Sequence, residues 1–393
     1  MEGIFEAVND GWFEETFGVV PLKVEAEAFG EGGFLSSMRR LTLEWPTGAA
    51  EDLLPQALVL KAAPAAEHPA HEFITQLHLH TREVAFYRDL ADLRRTWRYP
   101  VAHEVNGLPL VRAWGAPRWA DGEEDLGIEG SLLVMEHLDM EQPSFHQGLV
   151  THQMATLLRS VAQLHGALLR RRDDVLGAPR EHGLRCGRWP DACKRYFLKA
   201  CKDLLAESGA QLMDVSRKCR PSLGLGDREI QWLKSWMSAE DFEERLRRVL
   251  WSEEEVYVSI AHGDLWCNNL LMDQEKVIIL DWQFVTERSP LNDIAYLMGS
   301  SMNAEERIQH EEMLIREVYI PALKEASSMS IDPSFDWVKH YHQCKESALL
   351  ASVMSFDVQY INPVEKHPEA AEALWQRYLT LFQEVAQVKG CTG

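Results

Sequence analysis

The chain has 393 residues, of which 40 are Lys or Arg and 61 are Asp or Glu, so its formal net charge is −21. This acidic balance argues against nucleic acid as a main partner, because phosphate backbones are bound by Lys and Arg, and more weakly against an anionic membrane surface. The 46% apolar fraction, which includes 13 Trp and 14 Phe, excludes a disordered chain and is enough for a sizeable core.

The length predicts two domains or one large two-lobed unit, at about 100–200 residues per domain. The seven Cys form no CxxC pair, so we expect reduced thiols rather than a disulfide framework. The N-terminal residues lack a basic segment followed by an apolar one, and no apolar run approaches the roughly 20 residues that span a bilayer. We therefore expect a cytoplasmic protein with no membrane partner.

The first 140 residues are rich in predicted strands. Alternating or short apolar patterns predict strands over 22–29, 38–45, 57–61 and 131–136. The first two form a hairpin around a glycine-rich turn at 30–34, and the third ends at Lys61. A helix is predicted over 81–93, where the helical pitch places Glu83 on the inward face.

From Thr151 onward the pattern is mainly helical. Apolar residues at helical spacing predict a helix from Thr151 and further helices over 305–325, 337–356 and 368–388, and a capping box at 238–241 predicts a helix from Phe242. We expect a small lobe of residues 1–140 and a larger helical lobe of residues 141–393, with an insert at about 170–255. Residues 170–220 carry 13 Lys or Arg against 7 Asp or Glu, so this stretch is either a solvated face or an attractor for an anionic ligand.

One hairpin interrupts the helical region. The sequence HGDLWCNN at 262–269 precedes two short apolar strands, and Asp281 follows the second strand, so two carboxylates and one carboxamide come to the same end of a small sheet. Phosphoryl transfer from ATP needs this set: one carboxylate accepts a proton from the acceptor hydroxyl, while a carboxamide oxygen and a second carboxylate hold Mg²⁺. The thiol of Cys267 suits Mg²⁺ poorly, which predicts a packing role for it.

The pattern His-Gly-Asp, four residues, Asn, apolar strand and Asp resembles the catalytic core of the aminoglycoside phosphotransferase and choline kinase group. Trp266 and the doubled Asn268-Asn269 resemble more closely the ecdysteroid kinase-like family, also called CHK kinase-like. The resemblance implies an α+β, two-lobed protein-kinase-like fold and an ATP- and Mg²⁺-dependent kinase of a small-molecule hydroxyl. It also implies that Asp264 is the catalytic base, that Asn269 and Asp281 are the Mg²⁺ ligands, and that Asp293 buttresses the loop that His262 orders.

The same resemblance extends to the first 140 residues. It implies a phosphate-covering loop, a phosphate-contacting lysine with its helix partner, and a hinge whose backbone meets the adenine edge. The residues in these roles are Gly30, Gly32, Gly33, Ser36 and Ser37 in the loop, Lys61 with Glu83, and Glu136 with Leu138 in the hinge.

Two alternatives remain open. A catalytically silent nucleotide-binding pseudokinase, acting as a sensor, would share the fold without transferring phosphate. A protein kinase is disfavoured because no Ala-Pro-Glu motif follows Asp281, and the chain passes directly to Pro290 and Asp293.

The acceptor is left open, as is the oligomeric state. A steroid-like alcohol, choline, an aminoglycoside or another metabolite is compatible with the resemblance. Four tryptophans of the insert serve equally well as an aromatic cage for a cation or as the wall of an apolar pocket: Trp189, Trp232, Trp236 and Trp251.

Overall fold

A computed structural model of the protein describes residues 5–29, 35–48, 54–96, 110–115, 132–170, 187, 189–219, 223–251, 257–273, 276–328, 332 and 334–389. These residues form two compact units. The first comprises the described residues of Met1–Met140, Ala178–Gly187 and Ile278–Val285. The second comprises those of Glu141–Gly177, Arg188–Val277 and Thr286–Gly393.

A five-stranded antiparallel sheet, in the order β1-β2-β3-β5-β4, forms the centre of the first unit. Its strands are β1 (Lys23–Ala28), β2 (Ser37–Glu44), β3 (Ala57–Ala62), β4 (Ala113–Gly115) and β5 (Leu132–Glu136). The four strands predicted from the sequence are confirmed. The short strand β4 was not predicted, and the glycine-rich turn between β1 and β2 lies outside the described residues.

Helix α1 (Asp10–Phe17) covers one face of this sheet. Its N-terminus is capped by Asn9, whose Oδ1 accepts from the N–H groups of Gly11 and Trp12 at 3.0 and 3.3 Å. Trp12 and Phe13 pack against alternate residues of the strands, and this core consists of Trp12, Phe13, Leu41, Leu43, Leu58, Leu60, Ala62, Leu132 and Val134. Because strand side chains alternate, Lys61 points to the opposite face from Leu60 and Ala62.

Helices α2 (His71–Leu77) and α3 (Leu79–Thr96) follow β3. The predicted helix over 81–93 is therefore confirmed, with one turn or less added at each end. Val84, Phe86 and Tyr87 are buried, as is Glu83.

The second unit is mainly helical. Its helices are α4 (Thr151–Arg170), α5 (Asp191–Lys218), α6 (Asp227–Met237), α7 (Phe242–Leu250), α8 (Leu291–Ser301), α9 (Ala304–Met313), α10 (Ile320–Ser327), α11 (Trp337–Met354), α12 (Asn362–Lys366) and α13 (Ala371–Lys389). Every residue of α8 is buried, so this helix forms the centre of the unit. The predicted helix over 305–325 is divided by a π-helical segment, Leu314–Tyr319, and a second π-helical segment, Asp357–Ile361, follows α11.

The predicted capping box is wrong. Helix α6 extends to Met237, and the Ser238 hydroxyl donates to the Lys234 carbonyl at 2.8 Å at the end of that helix. Helix α7 begins after Asp241, whose side chain makes no capping hydrogen bond. A hydroxyl committed to the preceding helix is not available to cap the next one.

The short strands of the catalytic segment are β6 (Ser259–Ala261), β7 (Leu270–Met272), β8 (Val277–Ile279) and β9 (Thr286–Arg288). β6 pairs with β9 in antiparallel register, with Ser259 opposite Arg288. The turn between β7 and β8 is closed by Asp273 N–H donating to the Lys276 carbonyl at 3.0 Å, as the predicted hairpin requires. Within the described part of the chain, no helix is both long and apolar enough to cross a membrane.

Candidate active site

Lys61, near the end of β3, lies beside two carboxylates in the first unit. Its Nζ is 2.7 Å from Glu83 Oε2 on α3 and 2.9 Å from Asp281 Oδ1. Lys61 and Glu83 are 3% and 0% exposed, whereas the Asp281 side chain is 38% exposed. The alternation of β3 directs the Lys61 side chain, and the pitch of α3 directs that of Glu83, to the place where Asp281 also lies. Lys61 and Asp281 are 220 residues apart in the sequence.

The protonation of Lys61 is fixed by these neighbours. Burial alone would lower the pKa of the ammonium group, but the charges of Asp281 and Glu83 hold it above its ordinary value of 10.5. Burial also raises the pKa of Glu83, and the adjacent ammonium opposes that rise. Lys61 is therefore a permanent positive charge, and Asp281 is the more accessible of its two partners.

The segment around Asp281 has an unusual backbone. Asp281 adopts the left-handed conformation (φ 63°, ψ 64°), which is rare for a residue with a Cβ atom and is often found at functional sites. The next residue, Trp282, donates its N–H to Glu83 Oε1 at 3.3 Å. Its ring stacks on Phe86, with 4.0 Å between centroids. Glu83 therefore holds both Lys61 and the turn that follows Asp281.

In the second unit, Asp293 fixes the loop that follows β6. It lies in the first turn of α8, where its carboxylate accepts from His262 N–H at 2.6 Å and from Gly263 N–H at 3.0 Å, and its Oδ2 lies 3.2 Å from His165 Nε2. Gly263 has a φ of +83°, a conformation that L side chains rarely adopt. Burial alone would raise the pKa of the Asp293 carboxyl, but its contacts with His165, His262 and Gly263 hold it below 3.8.

The Asp264 side chain is held by Asn269. Asn269 Nδ2 donates to the Asp264 carbonyl at 2.8 Å and to Asp264 Oδ2 at 3.1 Å, and the Asp264 N–H donates to His262 Nδ1 at 3.2 Å. The sequence between them forms a short 3₁₀ helix, Cys267–Asn269, that turns Asn269 back toward Asp264. Cys267 is buried, which raises the pKa of its thiol to about 11, so it is a packing residue and not a reactive thiolate.

Asn269 in the second unit and Asp281 in the first each carry an oxygen-bearing side chain of the kind that binds a magnesium ion. Both donations of the Asn269 amide use Nδ2, so that its oxygen Oδ1 is left for a ligand. Asp281 is partly exposed and offers carboxylate oxygen. Oxygen atoms of carboxylates and carboxamides are the ligands that Mg²⁺ prefers. Across the described residues, no cluster of three or more His, Cys, Asp or Glu side chains has the geometry of a metal site.

The sequence pattern of the ecdysteroid kinase-like family matches residues 30–329, which is more than half of the chain. The chain belongs to the ecdysteroid kinase-like family. Comparison with curated protein sequences gives no match.

Solved structures with the same fold include small-molecule kinases. A choline kinase from Cryptosporidium parvum Iowa II has a TM-score of 0.50 at 14% identity, over 99% of this chain and 96% of that one. Choline kinase LicA from Streptococcus pneumoniae has a TM-score of 0.44 at 12% identity, over 98% and 99%. The aminoglycoside phosphotransferase APH(2'')-Ib has a TM-score of 0.41 at 11% identity, over 97% and 98%. The first similarity, with the antiparallel sheet and the helical remainder, confirms the α+β protein-kinase-like fold of this family member.

The residues expected around the nucleotide are only partly described in this ecdysteroid kinase-like chain. Gly30, Gly32 and Gly33 lie outside the described residues. Ser36 directly precedes β2, and Ser37 begins it, paired with Ala62 of β3.

The hinge segment follows directly from the sheet. Glu136 N–H donates to the Arg112 carbonyl at 2.9 Å, and Arg112 Nε returns a bond to Glu136 Oε2 at 2.6 Å. His137 N–H donates to the Ala57 carbonyl at 3.0 Å. The N–H groups of Glu136 and His137 are thus both used within the sheet.

The four tryptophans of the insert separate into two groups. Trp232 and Trp236 line an open cavity of about 770 Å³ between α6, α7, α11 and α13, whose rim includes Arg228, Arg245 and Arg248. Arg245 stacks on Trp236, with Cζ 4.2 Å from the ring centroid. Trp189 and Trp251 instead pack together around Phe197.

Sequence reasoning missed three residues that contact the catalytic loop or its support. The hydroxyl of Tyr319 forms a hydrogen bond of 2.9 Å with Nδ1 of His165, and the other ring nitrogen of His165 contacts Asp293. Tyr296 on α8 hydrogen-bonds the Asp264 side chain, and Gln359 Nε2 donates to the Tyr296 hydroxyl at 2.6 Å. Tyr296 lies one helical turn after Asp293, and this spacing is the only sequence signal that would have indicated it.

Proposed function

We propose that this chain transfers the γ-phosphoryl group of ATP to a hydroxyl group of a small-molecule acceptor. The observation that carries the proposal is the buried Lys61 ammonium paired with both Glu83 and Asp281. A strand lysine paired with a helix glutamate, next to a carboxylate that follows a short strand, is the arrangement that positions ATP phosphates in kinases.

Each group then has a distinct role. Lys61, fixed by Glu83, binds the α- and β-phosphates, and the backbone of the glycine-rich loop with Ser36 and Ser37 covers them. Leu138, next to Glu136, contacts the adenine edge. Asn269 Oδ1 and the Asp281 carboxylate would hold Mg²⁺, which when bound offsets the negative charge of the phosphates.

Asp264 carries out the proton transfer. Its carboxylate orients the acceptor hydroxyl and takes up its proton as the oxygen attacks the γ-phosphorus and the bond to the β-phosphate oxygen breaks. His262 and Asp293 hold the loop so that this carboxylate keeps its direction. We assign the nucleotide-binding groups to residues 1–140 together with Asp281, and the base and the acceptor contacts to residues 141–393.

The acceptor is a small molecule in this proposal, recognised in part by the insert at about 170–255. The cavity at Trp232 and Trp236 supports that assignment, because it combines aromatic surface with charged groups of both signs. None of the described cysteines forms a disulfide, which supports a reducing compartment such as the cytoplasm.

The test replaces Lys61 with Met and uses Lys23→Met as the matched control, since Lys23 is an exposed lysine of β1 in the same unit. The purified proteins are incubated with Mg²⁺, γ-labelled ATP and, in turn, choline, an aminoglycoside and a steroid alcohol. We expect label transfer by the wild type and by Lys23→Met, and a fall of about 10²-fold in Lys61→Met, because a preorganised cation to the phosphates is lost.

The outcomes separate the candidate functions. Undiminished transfer by Lys61→Met contradicts the proposal. Binding of Mg-ATP without transfer to any acceptor, in a panel widened to a metabolite extract, indicates a nucleotide sensor instead of a kinase.

A further inference from the structure

Tyr296 of α8 reaches the carboxylate of Asp264 from outside the catalytic loop. The tyrosine is 5% exposed, and its hydroxyl hydrogen-bonds the Asp264 side chain. Asn269 contacts the same carboxylate at Oδ2. Asp264 is therefore held by two groups, one within its own loop and one on the buried central helix of the unit.

The direction of the Tyr296 hydroxyl proton follows from its other contacts. A tyrosine hydroxyl has one proton to donate and accepts through its oxygen. Gln359 Nε2 donates to that oxygen at 2.6 Å, and Ser355 also hydrogen-bonds it. Because a carboxylate can only accept, the hydroxyl proton is directed to Asp264. Burial raises the pKa of Tyr296 well above 10, so it stays a neutral donor.

Gln359 is itself held in place. It is 1% exposed, and its Oε1 lies 3.4 Å from the hydroxyl of Tyr378, which also donates to the Ser352 carbonyl at 3.0 Å. Because the Tyr296 hydroxyl donates to Asp264, the end of the Gln359 amide that faces its oxygen is the donating NH₂ group. Gln359 belongs to the π-helical segment Asp357–Ile361, and π turns inside helices are frequently found at functional sites.

We propose that Tyr296, oriented by Gln359, is a positioning residue that holds the Asp264 carboxylate in the direction needed to accept the proton of the acceptor hydroxyl. This inference rests on the proposed phosphotransferase function. It adds to that function a chain of hydrogen bonds from Gln359 through Tyr296 to Asp264, whose first two members lie on separate helical segments.

The role predicts an effect on turnover alone. Tyr296 and Gln359 act on the direction of the Asp264 carboxylate, and the proposal assigns neither of them to ATP, so their loss leaves the KM for ATP unchanged. A hydrogen bond to a charged group contributes enough that its loss from the base slows the transfer by about 10-fold or more.

The test compares Tyr296→Phe with Tyr341→Phe. Tyr341 is the matched control, because it is also a buried tyrosine of the second unit whose hydroxyl donates to a carboxylate, that of Glu311 at 3.0 Å. We measure kcat and the KM for ATP with the acceptor that the wild type phosphorylates. Tyr296→Phe should lower kcat about 10-fold with an unchanged KM, while Tyr341→Phe keeps the wild-type kcat.

A second variant, Gln359→Met, keeps the test decisive if Tyr296→Phe does not fold. Its apolar side chain has a similar length and leaves the Tyr296 hydroxyl free to rotate, so kcat should fall by about 3-fold or more, again with an unchanged KM. Wild-type kcat in either folded variant, or an equal fall in Tyr341→Phe, overturns the positioning role while leaving the phosphotransferase function intact. Absence of transfer by the wild type overturns both.

Discussion

At the scale of single residues, Asp293 organises the loop that follows β6. One carboxylate accepts from two successive backbone N–H groups, those of His262 and Gly263, and contacts the ring of His165. All of these groups except Gly263 are buried, so the carboxylate must stay charged to satisfy its donors. The left-handed φ of Gly263 is the backbone feature that lets both N–H groups face one side chain.

The charge of Asp293 predicts a pH dependence of stability. Its folded-state pKa lies below 3.8, so the folded protein binds fewer protons than the unfolded chain near that pH. The stability it contributes is therefore fully present above about pH 4 and is lost as pH falls through the folded-state pKa. Asp293→Asn should lower the free energy of unfolding by about 2 kcal/mol at pH 7.

Urea unfolding of both proteins at a series of pH values measures this effect. The difference between wild type and Asp293→Asn should stay constant from pH 7 to about pH 4 and narrow below that, as the pH falls toward the folded-state pKa of Asp293. A difference that does not narrow below pH 4 would show that the charge of Asp293 is not what stabilises the loop.

The side chains of the loop that follows β6 could be predicted from the sequence, because these residues are neighbours along the chain. The spacing of Asp264 and Asn269 is five residues, and the structure brings their side chains to 3.1 Å. The hydrogen-bond partner of Tyr296 could not be predicted in this way, because Gln359 lies 63 residues farther along the chain. The direction of the Gln359 side chain also depends on a π turn, which hydrophobic periodicity does not indicate.

At the scale of elements, helices α9, α11 and α13 share a buried network of charges. Lys345 Nζ lies 2.6 Å from Glu311 Oε1 and 2.7 Å from Glu384 Oε2, and Arg307 Nη1 is 2.9 Å from an oxygen of each of these carboxylates. Arg307 and Lys345 are almost fully buried. Two cations and two carboxylates balance in charge, so the network joins three helices without a net buried charge.

Removing one cation should unbalance this network. We expect Lys345→Met to lower the free energy of unfolding by about 3–5 kcal/mol, because Glu311 and Glu384 then share a single cation in a buried site. The control is Lys218→Met on α5, which removes an exposed lysine whose partner is Asp214, and should change stability by less than about 0.5 kcal/mol. Urea unfolding at pH 7 measures both, and equal effects of the two substitutions would contradict the account.

Helical periodicity predicted the C-terminal helices but not their interruptions. The prediction over 305–325 included the right residues, yet the π-helical segment Leu314–Tyr319 widens one turn, and it carries the Tyr319 hydroxyl that contacts His165. The capping box failed for a related reason, since local sequence does not reveal which of two adjacent helices a serine serves.

At the scale of the whole molecule, the fold was predictable because strands, helices and one dense motif agree with a single family pattern, which matches residues 30–329. The assignment of segments to the two compact units was harder to predict from the sequence. Ile278–Val285 belongs to the first compact unit although it lies deep in the second half of the sequence, and it carries Asp281 to Lys61. Only a contact with a distant segment decides this, and hydrophobic patterning does not encode such a contact.

The net charge of −21 belongs to the whole molecule and does not describe the proposed ATP site. It argues against a nucleic-acid polymer, yet the proposed substrate is a nucleotide. The two statements are compatible, because the buried ammonium and the backbone donors would contact the phosphates over a few ångströms. Exposed charges more than about 8–10 Å away are screened by salt.

The rate of γ-phosphoryl transfer by Asp264→Asn tests the central claim most directly. The variant keeps the size and shape of the side chain but removes the base, and Asp214→Asn supplies the same change at an exposed position of α5. Transfer of label from γ-labelled ATP to the acceptor should fall by about 10²–10⁴-fold in Asp264→Asn, with unchanged affinity for Mg-ATP and with wild-type rates in Asp214→Asn. Transfer by Asp264→Asn at the wild-type rate would contradict the account.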